Sequence, residues 1–418
     1  MSLFDIISLL VVLAAVFGYI NHRWLKLEPT VGLLMISLAS SLGIMLLHWV
    51  IPGLTIVEQL QTTLGNIDFN RTLMHGMLGF LLFAGALHVD LEYFVQRKLT
   101  IASLATVGLL MSTFMVGYLS WWLFRLFGFD VGFLPCLIFG SLISPTDPIA
   151  VMGTLKTMDA PKDLEANIAG ESLFNDGVAV VVFTALVAML GVDTGHGGHE
   201  GGISGWNVAV FFLREAGGGT LLGLFAGYVA YRMMLSIDDY KVEVLITLAL
   251  VMGAYSLAWK LHVSGPIAMV VAGILIGNRG RALAMSEEVA DYLEKFWELL
   301  DEILNALLFM LIGVEVLVIA FSWSSVAAGL IVVLIVLVSR FISVWVPISV
   351  IGLRSEFPRG VTRILTWAGL RGGISVALAL SLPPIPEKSL ILTCTYIVVL
   401  FSIVVQGMTV KKVLRRFL

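Results

Sequence analysis

Charged residues and cysteines are scarce in this chain of 418 residues. Asp, Glu, Lys and Arg supply only 13% of the sequence, whereas a soluble protein of this size needs far more polar surface. The two cysteines, Cys136 and Cys394, lie within apolar runs and are too few for a disulfide framework or a cysteine-based metal site. The formal net charge of −4 gives no sign of nucleic-acid binding. These absences argue against a soluble, a disulfide-stabilised or a nucleic-acid-binding protein.

Hydrophobic residues make up 59% of the chain and predict an all-α integral membrane protein with one membrane domain over residues 1–418. Runs of about 20 mainly apolar residues cross the hydrocarbon core as helices. We predict thirteen such spans, at 3–20, 30–50, 72–89, 99–124, 131–155, 166–190, 207–235, 242–259, 265–277, 297–319, 327–351, 365–382 and 389–410. The first run lacks the basic segment and cleavage motif of a signal peptide, so we expect a retained span.

The basic residues test this count independently, because cytoplasmic loops are enriched in Lys and Arg. Of the 25 Lys and Arg residues, 18 lie at the closing ends of odd-numbered spans or in the loops after them, five lie on the opposite side, and Arg340 and Arg371 lie deep within spans. This asymmetry predicts a multi-pass protein with its N-terminus outside and its C-terminus in the cytoplasm. Since the sequence shows no targeting segment or tail, we expect a prokaryotic inner membrane.

Five charged residues lie deep within the predicted spans, where a bare charge costs at least about 2.5–3.5 kcal/mol. They are Asp147, Glu171, Asp176, Arg340 and Arg371. Because of that cost, intramembrane charges are candidates for function by default.

Asp147 belongs to the sequence Ser-Pro-Thr-Asp-Pro at 144–148, whose two prolines disfavour a continuous helix. Broken backbone at membrane depth is tolerated only inside protein or beside a water-filled cavity. Its freed carbonyls and half-helix ends are then available as cation ligands. The alternative interpretation is a simple proline kink that Asp147 caps.

The span at 166–190 carries a hydroxyl, an amide and a carboxylate close together, on Ser172, Asn175 and Asp176. Hard oxygen ligands of this kind suit a small alkali cation. The alternative is a buried polar network that only joins helices. Glu171 lies about 140° around the helix from Asp176. It therefore needs its own partner, for which we predict Arg340.

The sequence Gly-Leu-Arg-Gly-Gly at 369–373 predicts a second helix break, in the span at 365–382. The two broken spans are seven apart, as expected for inverted repeats at about 1–190 and 242–410 joined by a linking span at 207–235. Interrupted helices at corresponding positions of inverted repeats indicate a transporter's substrate site. We expect Arg371 at the carbonyl ends of the broken helices and Asp147 at their amide ends.

Charged residues also accompany the span at 297–319. The mixed sequence at 283–300 predicts either a cytoplasmic interfacial helix or the ordinary solvated start of that span. Asp301, Glu302 and Asn305 either line a cytoplasmic entrance or simply lie near the membrane interface.

Three motifs identify a family when they are taken together. They are SPTDPIAV at 144–151, GESLFNDGVAVVVF at 170–183 and GLRGGISVALAL at 369–380. In this order they resemble the cation/proton antiporter 1 family, the bacterial and archaeal sodium/proton antiporters related to animal sodium/hydrogen exchangers. The resemblance covers essentially the whole chain.

The resemblance implies a thirteen-helix fold with inverted repeats and two crossed, broken helices, assembled as a homodimer among membrane lipids, with no cofactor besides transported Na+ and H+. The implied ion ligands are Thr146, Asp147, Ser172 and Asp176, with Asn175 beside them. Glu171 and Arg340 are the implied structural ion bridge. Some relatives carry a further acid in the third span, where this chain has Phe83-Ala84-Gly85.

Family members with an Asn-Asp pair, here Asn175 and Asp176, are electroneutral, and one free carboxylate agrees with that stoichiometry. We therefore expect a transporter, not an enzyme: Na+ or Li+ exchange for H+ by alternating access, serving pH homeostasis. Exchange of K+ or of alkali cations broadly is the alternative. An intramembrane enzyme lacks support, because neither a Gly-x-Ser-x-Gly nor a His-Glu-x-x-His motif is present. A passive channel is disfavoured by the inverted, broken helices.

Overall fold

A computed structural model describes residues 3–50, 77–158, 160–191, 205–317, 322–353, 357 and 360–417. Within these ranges the chain is helical, apart from loops and one isolated antiparallel bridge. The main helices are α1 (Leu3–Ile20), α2 (Pro29–Val50), α3 (Leu78–Leu87), α4 (Leu91–Leu126), α5 (Phe133–Ile143), α6 (Ile149–Thr157), α7 (Lys162–Ala188), α8 (Gly205–Met234), α9 (Tyr240–Leu261), α10 (Gly265–Leu275), α11 (Glu287–Glu315), α12 (Trp323–Ile351), α13 (Val361–Ala368), α14 (Gly373–Leu380) and α15 (Lys388–Phe417).

Among the described residues, seven helices are long and apolar enough to cross a membrane: α1, α2, α4, α7, α9, α12 and α15. The predicted spans at 131–155 and 365–382 are each divided into two short helices. The span at 265–277 corresponds to α10, which has 11 residues. Residues 72–76 of the third predicted span lie outside the described ranges. The expected all-helical membrane architecture is confirmed.

The helices form two groups by their packing. In the first bundle α3 packs on α10, α10 on α8 and α9, and α11 on α2 and α3. In the second bundle α4 packs on α5, α7 and α12, and α12 packs on α13 and α15. Fewer contacts join α7, α14 and α15 to the first bundle. The described helices therefore fall into two packed bundles joined by a smaller contact region.

Small residues allow the first bundle to pack closely. A Cβ at Gly219 or Gly223 of α8 would overlap the backbone of Ser264 or Ala268, at the start of α10. Helices approach this closely only where small residues face each other, which is common in membrane interiors.

Two helices begin earlier than their apolar runs predict. α4 starts at Leu91, where the Asp90 side chain accepts from the backbone amide of Glu92. α11 starts at Glu287, so residues 283–300 do not form a separate interfacial helix ahead of it. α11 begins with amphipathic turns, in which charged residues alternate with buried ones, whereas the first turns of α4 mix charged with half-buried residues; both patterns lower the hydropathy.

Candidate functional site

The two broken helices cross where their chains are extended. α5 ends at Ile143 and α6 begins at Ile149, and both intervening prolines lack an amide donor. α13 ends at Ala368 and α14 begins at Gly373. The backbone amide of Asp147 donates to the carbonyl oxygen of Leu370 at 2.8 Å, forming the one isolated bridge of the described chain. Four half-helix ends therefore meet around this bridge.

Arg371 lies at the carbonyl end of α5. Its Nη1 atom donates to the backbone oxygens of Ser144 and Pro145, the latter at 2.8 Å. Its own amide donates to Ser402 Oγ at 2.7 Å. The side chain is 1% exposed, so its charge acts on the negative end of the α5 dipole without screening by solvent. The guanidinium replaces the hydrogen bonds that the break removes.

Asp147 lies at the amide ends of the half-helices. Its Oδ1 atom accepts from the backbone amide of Ile149, in the first turn of α6, at 3.0 Å. Its Oδ2 atom packs on Gly372, immediately before α14, so closely that a Cβ there would overlap it. Two positive helix ends thus lie at one carboxylate.

A short hydrogen-bonded chain links the first crossing segment to α7. Asn175 Nδ2 donates to Thr146 Oγ1 at 2.8 Å, and Thr146 Oγ1 lies 3.0 Å from Ser172 Oγ. The Thr146 amide also donates to Asn175 Oδ1, at 3.3 Å. All three side chains are buried. The contacts bring together residues that are about 30 positions apart in the sequence.

Asp176 is one residue beyond Asn175 and one helical turn beyond Ser172. It is 8% exposed, and no hydrogen bond or ion pair to it is present among the described residues. Asp147 lies near enough to interact with it electrostatically. Asp176 is therefore a nearly buried carboxylate without a partner in the described chain, one helical turn from Ser172, whose hydroxyl lies 3.0 Å from Thr146 Oγ1.

Glu171 and Arg340 form a buried ion pair. Arg340 donates through Nη1 to Oε1 and through Nη2 to Oε2, the latter at 3.0 Å. Nη2 also donates to the Leu365 carbonyl oxygen at 3.1 Å, which ties the pair to α13. A Cβ at Gly369 would overlap the guanidinium. The pair is bidentate, which suits a fixed structural role, and neither charge is available for an ion.

A third acid approaches the crossing from α11. Asp301 lies one helical turn before Asn305 and interacts electrostatically with Asp147. Glu302, its neighbour in sequence, is exposed. Of the two alternatives for this segment, the structure favours an acidic approach to the site for Asp301 and a surface position for Glu302.

Sequence reasoning missed two buried acids. Glu243 at the start of α9 and Glu315 at the end of α11 are both buried and have carboxylate oxygens without partners in the described chain. Glu315 stands alone in an apolar run, which is a detectable signal. Glu243 follows two aspartates and looks like part of a solvated helix start.

Residues 11–416 match the sequence model of the family described as sodium/hydrogen exchanger, transmembrane. The chain belongs to the sodium/hydrogen exchanger family. It is 50% identical over 417 residues to the Na(+)/H(+) antiporter NhaP of Pseudomonas aeruginosa, covering 99% of this chain and 96% of that protein. It is 33% identical to the antiporter NhaH of Halobacillus aidingensis, with 98% and 97% covered. The expectation of a transporter rather than an enzyme is confirmed.

The fold of this exchanger also matches a solved structure. The sodium proton antiporter MjNhaP1 from Methanocaldococcus jannaschii, at pH 8, superposes with a TM-score of 0.77 at 18% identity. The match covers 99% of this chain and 98% of the archaeal chain. The fold of the archaeal antiporter therefore extends over nearly all of this chain.

Proposed function

We propose that this exchanger carries one Na+ or Li+ against one proton by alternating access, with Asp176 as the carboxylate that both ions share. The observation that carries the proposal is the contrast among the acids around the crossing. Glu171 is held by Arg340, and Asp147 accepts from the Ile149 amide. Asp176 has no such partner in the described chain.

The oxygen atoms around Asp176 suit an alkali cation. Thr146 and Ser172 supply hydroxyl oxygens and Asp147 supplies a second carboxylate, all of them hard ligands. Asn175 holds Thr146 in position, and its amide neither gains nor loses a proton during exchange. In this arrangement Asp176 binds the cation, and Asp147, Thr146 and Ser172 complete its coordination.

One carboxylate couples the two fluxes without a separate gate. Asp176 is neutralised either by a cation or by a proton, and both forms remove the cost of moving a bare charge through a low-dielectric layer. The empty, ionised form keeps that cost. The second bundle therefore moves between its outward-open and inward-open positions only when Asp176 has bound a cation or a proton. Arg371, Arg340 and Glu171 move with the site and keep its charges compensated.

The relatives support Na+ as the first cation to test, since both are named Na(+)/H(+) antiporters. Oxygen ligands accept Li+ and K+ as well, so K+ or broad alkali-cation exchange is the second candidate. We further propose a homodimer in a prokaryotic inner membrane, with the C-terminus in the cytoplasm and inverted repeats at about 1–190 and 242–410. Exposed apolar residues of α8, such as Leu213, Leu221 and Phe225, offer a surface for lipid or a second copy.

Reconstituted liposomes with an internal acidic pH test this function. Addition of Na+, Li+ or K+ outside is expected to raise the internal pH, with Na+ and Li+ effective at the lowest concentrations. Asp176→Asn is expected to abolish the response, whereas Asp291→Asn, at an exposed position of α11, keeps it. Full exchange by Asp176→Asn, or no response of the unsubstituted protein to any cation, would refute the proposal.

A further inference from the structure

A carboxyl group that the proposed exchange does not use lies near the end of α11. Glu315 is 7% exposed, and its Oε2 atom has no hydrogen-bond partner among the described residues. It stands 14 residues beyond Asp301, or about 21 Å along the same helix. In the proposed orientation it therefore lies on the outer side of the ion site.

Tyr396 of α15 is the titratable group that interacts with Glu315. The tyrosine is 0% exposed, its hydroxyl has no hydrogen-bond partner in the described chain, and the two groups interact electrostatically. Glu315 belongs to the first bundle and Tyr396 to the second. Val316 and Tyr396 lie in one apolar core cluster, so the bundles are packed together here. Two buried polar groups without hydrogen-bond partners in the described chain thus lie on different bundles, in the region that alternating access must open.

Other polar groups on the surrounding helices are engaged elsewhere or uncharged. Ser41 of α2 donates to the Gly313 carbonyl oxygen at 2.9 Å, and Ser37 donates to that of Leu34 at 3.0 Å. Lys388, at the outer start of α15, donates to the carbonyl oxygens of Leu380 and Leu382. Cys394 is buried in α15 and Asp5 lies at the outer end of α1. No cationic side chain of the described residues pairs with Glu315.

A buried carboxylate without a counter-ion or a hydrogen-bond donor costs several kcal/mol, whereas the protonated acid both donates and accepts. We propose that Glu315 is a second proton-binding site, whose carboxylate takes a proton from the outer solution as the outer ends of the bundles close around it. When the bundles separate, water solvates the carboxylate and the proton returns to the same solution. The exchange stoichiometry is therefore unchanged.

The direction of the pH effect follows from this proton count. The outer-closed state holds one proton more than the outer-open state, so acid favours closure and alkali favours opening. This inference rests on the proposed alternating access and adds to it a sensor of outer pH. The sensor is separate from Asp176, which binds a proton in both states.

Proton binding at Glu315 can be separated from proton binding at Asp176 in the full chain that carries Asp176→Asn, where the site shared by cation and proton is permanently neutral. Spin labels on cysteines introduced at Val210 of α8 and Trp323 of α12, both exposed, report the distance between the bundles at their outer ends. The buried native Cys136 and Cys394 stay in place, and labelling of the chain without added cysteines gives the background. Distances are measured in Na+-free lipid nanodiscs across a pH series.

We expect the distance to lengthen as the pH rises in Asp176→Asn and to stay short at every pH after Glu315→Gln is added. Tyr396→Phe, which keeps the ring, is expected to move the midpoint of the distance change to lower pH, because the closed state loses the polar hydroxyl that interacts with the acid. A pH series unchanged by Glu315→Gln, or no pH dependence in the Asp176→Asn parent, overturns the proposal. If Glu315→Gln does not fold, an unchanged midpoint in Tyr396→Phe overturns it.

Exchange by the unsubstituted protein is measured in liposomes alongside. If exchange is absent there, the proposed function itself fails. If exchange is intact while the distances ignore Glu315, only the second proton site fails.

Discussion

Arg371 of the second broken helix donates to the Ser144 and Pro145 carbonyl oxygens of the first. The two breaks are therefore not independent, because the guanidinium that hydrogen-bonds the carbonyl oxygens of the first break belongs to the second. The Asp147 amide bonded to Leu370 oxygen closes the same crossing from the opposite direction. This reciprocal arrangement gives hydrogen-bond partners to backbone groups that the two breaks leave outside the helices. A broken helix at membrane depth requires such partners, because no lipid group can supply them.

Arg371→Ala removes the donor from two buried carbonyl oxygens and is expected to destabilise the fold. Each buried group left without a charged partner costs about 1.5–3 kcal/mol, so about 3–6 kcal/mol is expected in total. Thermal unfolding in detergent, followed by the loss of monodisperse protein, measures the effect. Arg363→Ala, at an exposed position on α13, is the control and should shift the melting temperature little. Equal melting temperatures of the Arg371→Ala and Arg363→Ala variants would contradict the role of Arg371.

Gly372→Ala is expected to abolish exchange while the protein still folds. The added methyl group would overlap the Asp147 carboxylate and displace it from the ends of α6 and α14. The matched control is Gly153→Ala in α6, where a Cβ meets no atom within 4 Å. Cation-driven pH recovery in liposomes should be lost in the first variant and retained in the second. Retention in both would show that Asp147 is not held where the site requires it.

The ion pair of Glu171 and Arg340 predicts strong coupling in a double-mutant cycle. Removal of one partner from a buried pair costs about 3–5 kcal/mol, because the other charge is left uncompensated. Glu171→Gln and Arg340→Gln should each lower the melting temperature sharply, and the double variant should lose less than their sum. The exposed pair of Lys295 and Asp291 is the control, with coupling of about 0–1 kcal/mol. Additive losses at Glu171 and Arg340 would show that the pair has no such role.

The fold could be predicted largely from local properties of the sequence. Length and apolar composition determine most helices, and the prolines at 145 and 148 and the glycines at 369, 372 and 373 mark both breaks. The ion pair of Glu171 and Arg340, anticipated because a buried charge needs a partner, is present in the structure. Its role in transport stays a prediction, as do the ion ligands around Asp176.

Features that depend on contacts distant in sequence could not be predicted. The bond from the Asp147 amide to Leu370 joins residues more than 200 positions apart, and no local pattern specifies that register. The approach of Asp301 to Asp147 likewise depends on how the two bundles pack. Hydropathy failed at the starts of α4 and α11, because charged residues there are mixed with half-buried residues in α4 and with buried residues in α11.

Competition for Asp176 predicts how pH acts on cation affinity. When protons occupy the carboxylate, each fall of one pH unit should raise the half-saturating Na+ concentration about tenfold, because one proton is displaced per cation. The maximal rate at saturating Na+ should change much less. Initial rates in liposomes, measured over matched series of pH and Na+, check this. An affinity for Na+ that is independent of pH would mean that the two ions bind at different groups.

The central claim is that one carboxylate trades one cation for one proton, and a null-point measurement tests it most directly. In liposomes a Na+ gradient is set against a pH gradient, and the Na+ ratio is varied until no net proton flux occurs. The measurement is made with and without a membrane potential set by potassium and valinomycin. Electroneutral exchange predicts zero flux when the two gradients are equal, at any imposed potential. If one net charge moved per cycle, about 100 mV would add about 2.3 kcal/mol and displace the null point about fiftyfold in Na+ ratio. Such a displacement would contradict the account, and Asp147 would then have to be considered as a second titrating acid.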